Sequence, residues 1–124
     1  MARVCLRYPN LNHGAKEVVS LSNGTNVTIG RLPENDIVVL SQSVSTKHIT
    51  LCYDDQSQMV LVTNIGTNPI RYRRSDDEQE KWVRLKPSET VQLSFTDCFL
   101  LLPPNFAHSD NVDPRQCFVF QIQS

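Results

Sequence analysis

The amino-acid sequence predicts an all-β domain, a two-sheet sandwich or a barrel, built from about eleven short strands. Apolar residues recur in short runs with a period of two, which is typical of strands that bury one face. Residues that favour turns separate these runs. No segment longer than about six residues keeps the period of an amphipathic helix, so almost no helix is expected.

Short polar turns separate the first five predicted strands. Asn23-Gly24 predicts a tight hairpin between the second and third strands. Pro33-Glu34-Asn35-Asp36 predicts a loop in which two side chains can bond their own backbone. The fifth strand contains Leu51-Cys52-Tyr53 and is followed by the turn Asp54-Asp55-Gln56-Ser57. These five strands cover residues 3–8, 17–21, 26–30, 36–40 and 48–53.

The last six predicted strands follow from further short apolar runs. Cys98-Phe99-Leu100 lies in the tenth strand and Cys117-Phe118-Val119 in the eleventh. Residues 103–115 between them are polar and contain three prolines, so they predict an exposed loop and not a linker between domains. The six strands cover residues 58–63, 69–73, 81–85, 90–94, 97–102 and 116–122.

Length and charge limit what the chain can do. Its 124 residues fit a single domain over residues 1–124, which we expect to be the N-terminal part of a longer protein. Hydrophobic residues make up 40% and charged residues 20%, as in globular domains. The net charge of −1 argues against direct nucleic-acid binding, which depends on excess basic charge. We also expect no membrane span and no secretory signal.

The cysteines predict neither a metal site nor a disulfide. Cys5, Cys52, Cys98 and Cys117 each lie in an apolar run, and no two have the spacing of a zinc or redox motif. We interpret them as buried apolar residues in a reducing compartment. The sequence offers no paired carboxylates in a motif and no nucleophile with a nearby base. We therefore predict no enzyme activity, no cofactor and no metal.

Three predicted loops carry residues with distinctive chemistry. Gly30-Arg31 ends the third strand, Ser45-Thr46-Lys47-His48 precedes the fifth, and Gly66-Thr67-Asn68 follows the sixth. This ordered set, within about residues 27–70, resembles the forkhead-associated (FHA) domain family, and in its spacing the N-terminal FHA domain of DNA-damage checkpoint mediator proteins. The resemblance implies an eleven-strand β-sandwich that binds phosphothreonine peptides through loops at one end. It also implies a nuclear role in checkpoint signalling.

The three loops supply the groups that a phosphate dianion needs. A phosphate carries about −1.5 to −2 charges and three acceptor oxygens. Arg31 offers a bidentate guanidinium, while Ser45 and Thr67 offer hydroxyl donors. Asn68 has an amide that can bind the backbone of an extended peptide. The predicted phosphopeptide-binding residues are Arg31, Ser45, Thr46, Lys47, Thr67 and Asn68.

The resemblance gives three further residues a structural role. His48 ties the second loop down, Gly30 allows a turn without a Cβ atom, and Gly66 belongs to the turn before Thr67.

Two positions depart from the family pattern. Thr46 stands where arginine is most common, which removes one phosphate contact, although Thr46 or Lys47 can sit beside the phosphate. Pro69-Ile70 stands where Gly-Thr is common. The proline favours an extended backbone at Asn68 and lacks a backbone donor, which weakens the expected peptide contact.

Two other groups of residues each allow two interpretations. The basic residues after the third loop widen the basic surface or, as we favour, form a solvated hairpin neutralised by Asp76-Asp77-Glu78. Tyr53, Tyr72, Trp82 and the loop around Phe106 form a dimer surface or belong to the core. The basic residues are Arg71, Arg73, Arg74, Lys81, Arg84 and Lys86.

Two functions follow from the resemblance. The first is a nuclear module that binds a phosphothreonine-containing protein in DNA-damage signalling. The alternative is an FHA-fold dimerisation domain with weak or lost phosphothreonine binding, and a symmetric homodimer is compatible with the mediator-type resemblance.

Overall fold

The protein is a two-sheet β-sandwich, described by a computed structural model over residues 4–9, 16–75, 81–102 and 117–123. These residues contain eleven strands and no helix, so they hold no helix that could span a membrane. The predicted all-β sandwich is confirmed. The strands are β1 (Val4–Pro9), β2 (Lys16–Leu21), β3 (Asn26–Gly30), β4 (Ile37–Val38), β5 (Ile49–Asp54), β6 (Met59–Asn64), β7 (Ile70–Arg73), β8 (Val83–Leu85), β9 (Thr90–Leu93), β10 (Cys98–Leu101) and β11 (Phe118–Gln123).

The strands form a six-stranded sheet in the order β2-β1-β11-β10-β7-β8 and a five-stranded sheet in the order β4-β3-β5-β6-β9. Among the strands of the described residues, β3 and β4 alone pair in parallel, with Ile29 opposite Ile37 and Gly30 opposite Val38. Parallel neighbours usually need a crossover of about a dozen residues, and here residues 31–36 suffice. After these six residues the chain re-enters the sheet as β4, and its first residue, Ile37, lies opposite Ile29, the last residue but one of β3.

Side-chain alternation along the strands fills one core between the sheets. In β5, Ile49, Leu51 and Tyr53 are buried, whereas Thr50 and Cys52 are half-buried on the outer face. Phe99 and Phe120 of the other sheet stack in the core with their ring centroids 5.0 Å apart.

The predicted hairpin at Asn23-Gly24 is wrong, because β2 and β3 belong to different sheets. A turn does form there: Gly24 has a φ of 74°, and Thr25 N donates to Ser22 O at 3.1 Å. Gly24 N also donates to Tyr53 O at 3.0 Å, which fixes the turn against β5. An Asn-Gly pair reports a local backbone preference and does not determine which strands pair.

The residues proposed for a dimer surface are largely interior. Tyr53 is 5% exposed in the core, so the surface interpretation is wrong for it, and the core interpretation applies. Tyr72 packs against the same core, and Trp82 packs against a second apolar cluster around Leu100. Phe106 lies outside the described residues.

The prediction of a solvated basic hairpin is wrong for two of its arginines. Arg71 and Arg73 are 3% and 9% exposed, because β7 lies inside the sheet between β10 and β8. The guanidinium carbon of Arg73 lies 4.4 Å from the centroid of the Trp82 ring, a cation–π contact. Arg74, Lys81, Arg84 and Lys86 are exposed, and the acidic run at 76–78 lies outside the described residues.

The cysteines follow the prediction in two of the three positions whose side chains are described. Cys98 and Cys117 are buried. Cys52 is only half-buried, because its position in β5 points away from the core, so the prediction of burial is wrong for it.

Candidate functional site

Three connections meet at one end of the sandwich. We call residues 31–36 loop 1, residues 39–48 loop 2 and residues 65–69 loop 3. Arg31 N donates to Ser45 O at 3.0 Å, which joins loop 1 to loop 2. Ile65 N donates to His48 O at 2.8 Å, which joins loop 3 to loop 2. The six predicted phosphopeptide-binding residues therefore lie on adjoining segments.

Two hydroxyl groups lie side by side where loops 2 and 3 meet. Ser45 Oγ is 3.3 Å from Thr67 Oγ1, and Thr67 N donates to Ser45 Oγ at 3.0 Å. Ser45 is half-buried and Thr67 is exposed. Since the Thr67 amide already occupies an acceptor position on Ser45 Oγ, the Ser45 hydroxyl hydrogen is free to point toward Thr67 or toward a ligand.

Arg31 is joined through its backbone to the loop that carries Ser45. It is the first residue of loop 1, is exposed, and is held to Ser45 through its backbone. Within the described part of the chain its guanidinium makes no hydrogen bond and no ion pair. All five of its N–H donors therefore face solvent or a ligand.

Thr46 and Lys47 are exposed, and neither side chain makes a hydrogen bond or ion pair within the described residues. Thr46 acts instead through its backbone carbonyl, which accepts from Leu32 N at 3.4 Å and from Asn35 Nδ2 at 2.6 Å. Thr46 thus helps to join loops 1 and 2, and a direct phosphate contact by Thr46 or Lys47 stays a prediction.

His48 connects the two loops that carry the hydroxyl pair. Ser45 N donates to His48 Nδ1 at 3.0 Å, so this nitrogen carries no proton. His48 Nε2 then bears the hydrogen and donates to Asn68 O at 2.9 Å. Burial lowers the pKa of His48 below its ordinary value of 6.5, and the bond to the Asn68 backbone opposes this effect. The neutral ring therefore fixes Ser45 and Asn68 together.

The domain is expected to lose stability as the pH falls below 6.5, the ordinary pKa of histidine. The folded state holds His48 neutral while the unfolded state takes up a proton, so acid favours unfolding, by at most about 1.4 kcal/mol per pH unit. Urea denaturation at pH 7.5 and pH 5.5 measures the change. The variant His48→Gln, which keeps a donor for Asn68 O, should lose this part of the pH dependence. Equal pH dependence in both proteins would contradict the assignment.

Positions 30 and 66 require glycine, because neighbouring atoms leave no room for a Cβ atom at either one. A Cβ atom on Gly66 would lie 2.6 Å from His48 Cγ and Nε2. One on Gly30 would collide with Thr46 O and lie 2.9 Å from Lys47 Cα. Neither glycine has a positive φ, so what excludes a larger residue at Gly30 is the space that a Cβ atom would need and not an unusual backbone conformation.

Asn68 uses part of its amide to hold loop 2. Its Nδ2 donates to Ser43 O at 2.9 Å, and its backbone oxygen accepts from Asn64 Nδ2 at 3.0 Å. The side chain is half-buried, and its Oδ1 has no hydrogen-bond partner among the residues that the structure describes. Oδ1 and the second amide hydrogen are the groups that a peptide backbone could meet.

Two buried asparagines support the site and were missed as site residues. Asn35, 6% exposed, donates to Leu32 O at 2.9 Å as well as to Thr46 O. Asn64 is fully buried, and its Oδ1 accepts from Gly66 N at 3.0 Å. The position of Asn64 could have identified it from the sequence. It continues the inward-facing series of Val60 and Val62 in β6, and a buried polar residue at such a position needs hydrogen-bond partners.

Comparison with known protein families agrees with this geometry. The family model described as FHA domain matches residues 27–94, more than half of the chain and all three loops. The chain belongs to the FHA domain family.

Solved FHA domains are similar to this FHA domain over nearly its whole length. The FHA domain of human APLF, in complex with an XRCC1 bisphospho peptide, shares 26% identity with a TM-score of 0.64 and covers 97% of this chain and 98% of its own. The N-terminal FHA domain of S. cerevisiae Rad53p, in complex with a phosphothreonine peptide, shares 15% identity with a TM-score of 0.65, covering 96% and 92%. The FHA domain of the Chlamydia trachomatis CT664 protein shares 15% with a TM-score of 0.66, covering 99% and 98%. No curated protein sequence matches the chain.

Proposed function

We propose that this FHA domain is a protein-interaction module that binds phosphothreonine peptides through Arg31, Ser45, Thr67 and Asn68. One observation carries the proposal: the hydroxyls of Ser45 and Thr67 lie 3.3 Å apart, and the exposed residue Arg31 is bonded through its backbone N to Ser45 O. The phosphothreonine peptide in the Rad53p complex supports the same ligand class.

Each group has a separate task in this proposal. The Arg31 guanidinium spans two phosphate oxygens, and its fixed charge favours the dianion. The hydroxyls of Ser45 and Thr67 donate to the remaining oxygen. Asn68 Oδ1 and the second amide hydrogen of Asn68 bind the backbone of the peptide. The peptide must be extended so that Asn68 can reach both a backbone N–H and a backbone C=O.

The test is a calorimetric titration with a phosphothreonine peptide and with the same peptide unphosphorylated. Two or three charge-assisted contacts, less the cost of ordering the peptide, give a binding free energy of about −6 to −8 kcal/mol, which is a micromolar Kd. The unphosphorylated peptide should show no binding. A phosphoserine peptide should bind more weakly, because it lacks the methyl group of threonine. Equal binding of the phosphorylated and unphosphorylated peptides would refute the proposal.

We further propose that the phosphorylated partner is nuclear and belongs to DNA-damage signalling. The order and spacing of Gly30-Arg31, Ser45 and His48, which resemble mediator-type FHA domains, support this. The wild-type domain and Arg31→Ala are used as bait in nuclear extracts from irradiated and untreated cells. The proposal requires proteins that bind only the wild-type bait and only after irradiation, with phosphatase treatment abolishing their capture.

A homodimer is the second candidate function. Val38 in edge strand β4 is 43% exposed and Leu40, two residues after it, is 83% exposed, which favours contact with another protein surface. Light scattering from micromolar to millimolar concentration measures the molar mass directly. A mass equal to one chain over this range would exclude the dimer, and would leave the phosphothreonine proposal unaffected.

A further inference from the structure

A fourth segment, the turn of residues 86–89 between β8 and β9, is attached to loop 3. The attachment runs through Asn64, whose N donates to Glu89 O at 3.0 Å and whose O accepts from Ser88 N at 2.7 Å. Asn64 Nδ2 donates both to Leu85 O and to Asn68 O, each at 3.0 Å. One buried side chain thus holds the end of β8 directly beside Asn68.

This turn carries a cation one residue beyond Leu85, whose backbone oxygen shares the Asn64 amide with Asn68 O. Lys86 follows Leu85, is exposed, and its ammonium group pairs with no carboxylate of the described residues. The nearby acid, Glu89, directs Oε1 to Lys86 N at 2.7 Å and so stabilises the turn backbone. Ser88 is also exposed and offers a hydroxyl donor in the same turn.

The position of the turn separates it from the phosphothreonine site. Arg31 and Ser45 lie on connections of the five-stranded sheet, whereas Lys86 follows a strand of the six-stranded sheet on the other side of Asn68. An extended peptide advances about 3.3 Å per residue. If Asn68 binds such a peptide, the peptide residue that comes near Lys86 lies several positions away from the phosphothreonine.

We propose that the turn of residues 86–89 forms a second anion subsite, in which Lys86 and the Ser88 hydroxyl bind an acidic or phosphorylated side chain of the same peptide. The inference rests on the proposed phosphothreonine binding and adds the ligand class: acidic or doubly phosphorylated peptides bind more tightly than singly phosphorylated peptides with neutral flanking residues. An anion is the matching group because an unpaired ammonium and a hydroxyl are both hydrogen-bond donors.

A positional peptide series tests the subsite. A phosphothreonine peptide with neutral flanking residues is the reference. Aspartate is then placed at each of about four positions before and after the phosphothreonine, which scans about 13 Å of extended peptide on either side. Wild type should gain about three-fold in affinity at one or two adjacent positions, and about ten-fold when phosphoserine replaces the aspartate there. Lys86→Gln should abolish the gain and bind the reference peptide as wild type does.

Lys81→Gln is the matched control, because Lys81 is an exposed lysine at the opposite end of β8. It should keep the full gain. If no position shows a gain, if the gain survives in Lys86→Gln, or if Lys81→Gln loses it equally, the subsite is wrong while the phosphothreonine site stands. If the reference peptide itself fails to bind wild type, both proposals are overturned.

Discussion

Replacing Arg31 by alanine is expected to lower the affinity for a phosphothreonine peptide at least ten-fold. Hydrogen bonds between charged partners contribute roughly 1.5–3 kcal/mol each, and the variant loses a bidentate pair. The fold should be unaffected, because Arg31 is exposed and its guanidinium has no protein partner within the described residues. Calorimetric titration measures the affinity, and urea denaturation should give a free energy of unfolding within about 0.5 kcal/mol of wild type.

Two further variants serve as controls for this result. Arg31→Lys keeps the charge but not the planar pair of donors, and should fall between wild type and Arg31→Ala. Arg74→Ala removes an exposed arginine that contacts Gln92 O at 2.7 Å, away from the three loops, and should bind the peptide normally. Unchanged affinity in Arg31→Ala would show that the phosphate binds elsewhere.

Replacing Gly30 by alanine is expected to destabilise the domain by about 3 kcal/mol, the upper range for forcing a methyl group into a packed site. The new Cβ would collide with the Thr46 carbonyl and lie 2.7 Å from Asn35 Nδ2 and 2.9 Å from Lys47 Cα. Two of these neighbours are backbone atoms, so a rotamer change cannot relieve the contact. Loops 1 and 2 must move apart, and phosphopeptide affinity should fall with stability.

Gly24→Ala is the control for this glycine. A Cβ at Gly24 meets nothing within 4 Å, but the residue has a φ of 74°. The cost there is the left-handed backbone alone, about 1 kcal/mol, and binding should be unchanged. Urea denaturation of both variants separates collision from backbone strain. Similar small losses in both would contradict the close approach at Gly30.

The strand pattern was predictable because burial alternates along the chain. The series Val60, Val62 and Asn64 in β6 faces inward while Met59, Leu61 and Thr63 are only half-buried. The arrangement of the strands was less accessible. Asn23-Gly24 signalled a turn, yet β2 and β3 separate into different sheets, since pairing depends on contacts between distant segments.

The candidate site was predictable where residue type alone determines the chemistry. Arg31, Ser45, Thr67 and Asn68 were predicted as binding residues from motif spacing, and the structure places them on adjoining loops. The supporting asparagines were not, because an asparagine in sequence does not reveal which carbonyl oxygens lie within its reach. Asn64 bonds Leu85 O, twenty-one residues away, and only the folded chain brings the two together.

The parallel pairing of β3 and β4 makes loop 1 intolerant of changes in length. Ile37, opposite Ile29, is 2% exposed, and the next residue, Val38, is 43% exposed. Inserting or deleting one residue within 32–34 would shift β4 by one position, turning Ile37 outward and Val38 inward. It would also displace Asp36, whose Oδ2 accepts from Thr28 N at 2.8 Å. The loop that carries Arg31 can therefore diversify by substitution, whereas insertions and deletions there are expected to abolish folding and binding together.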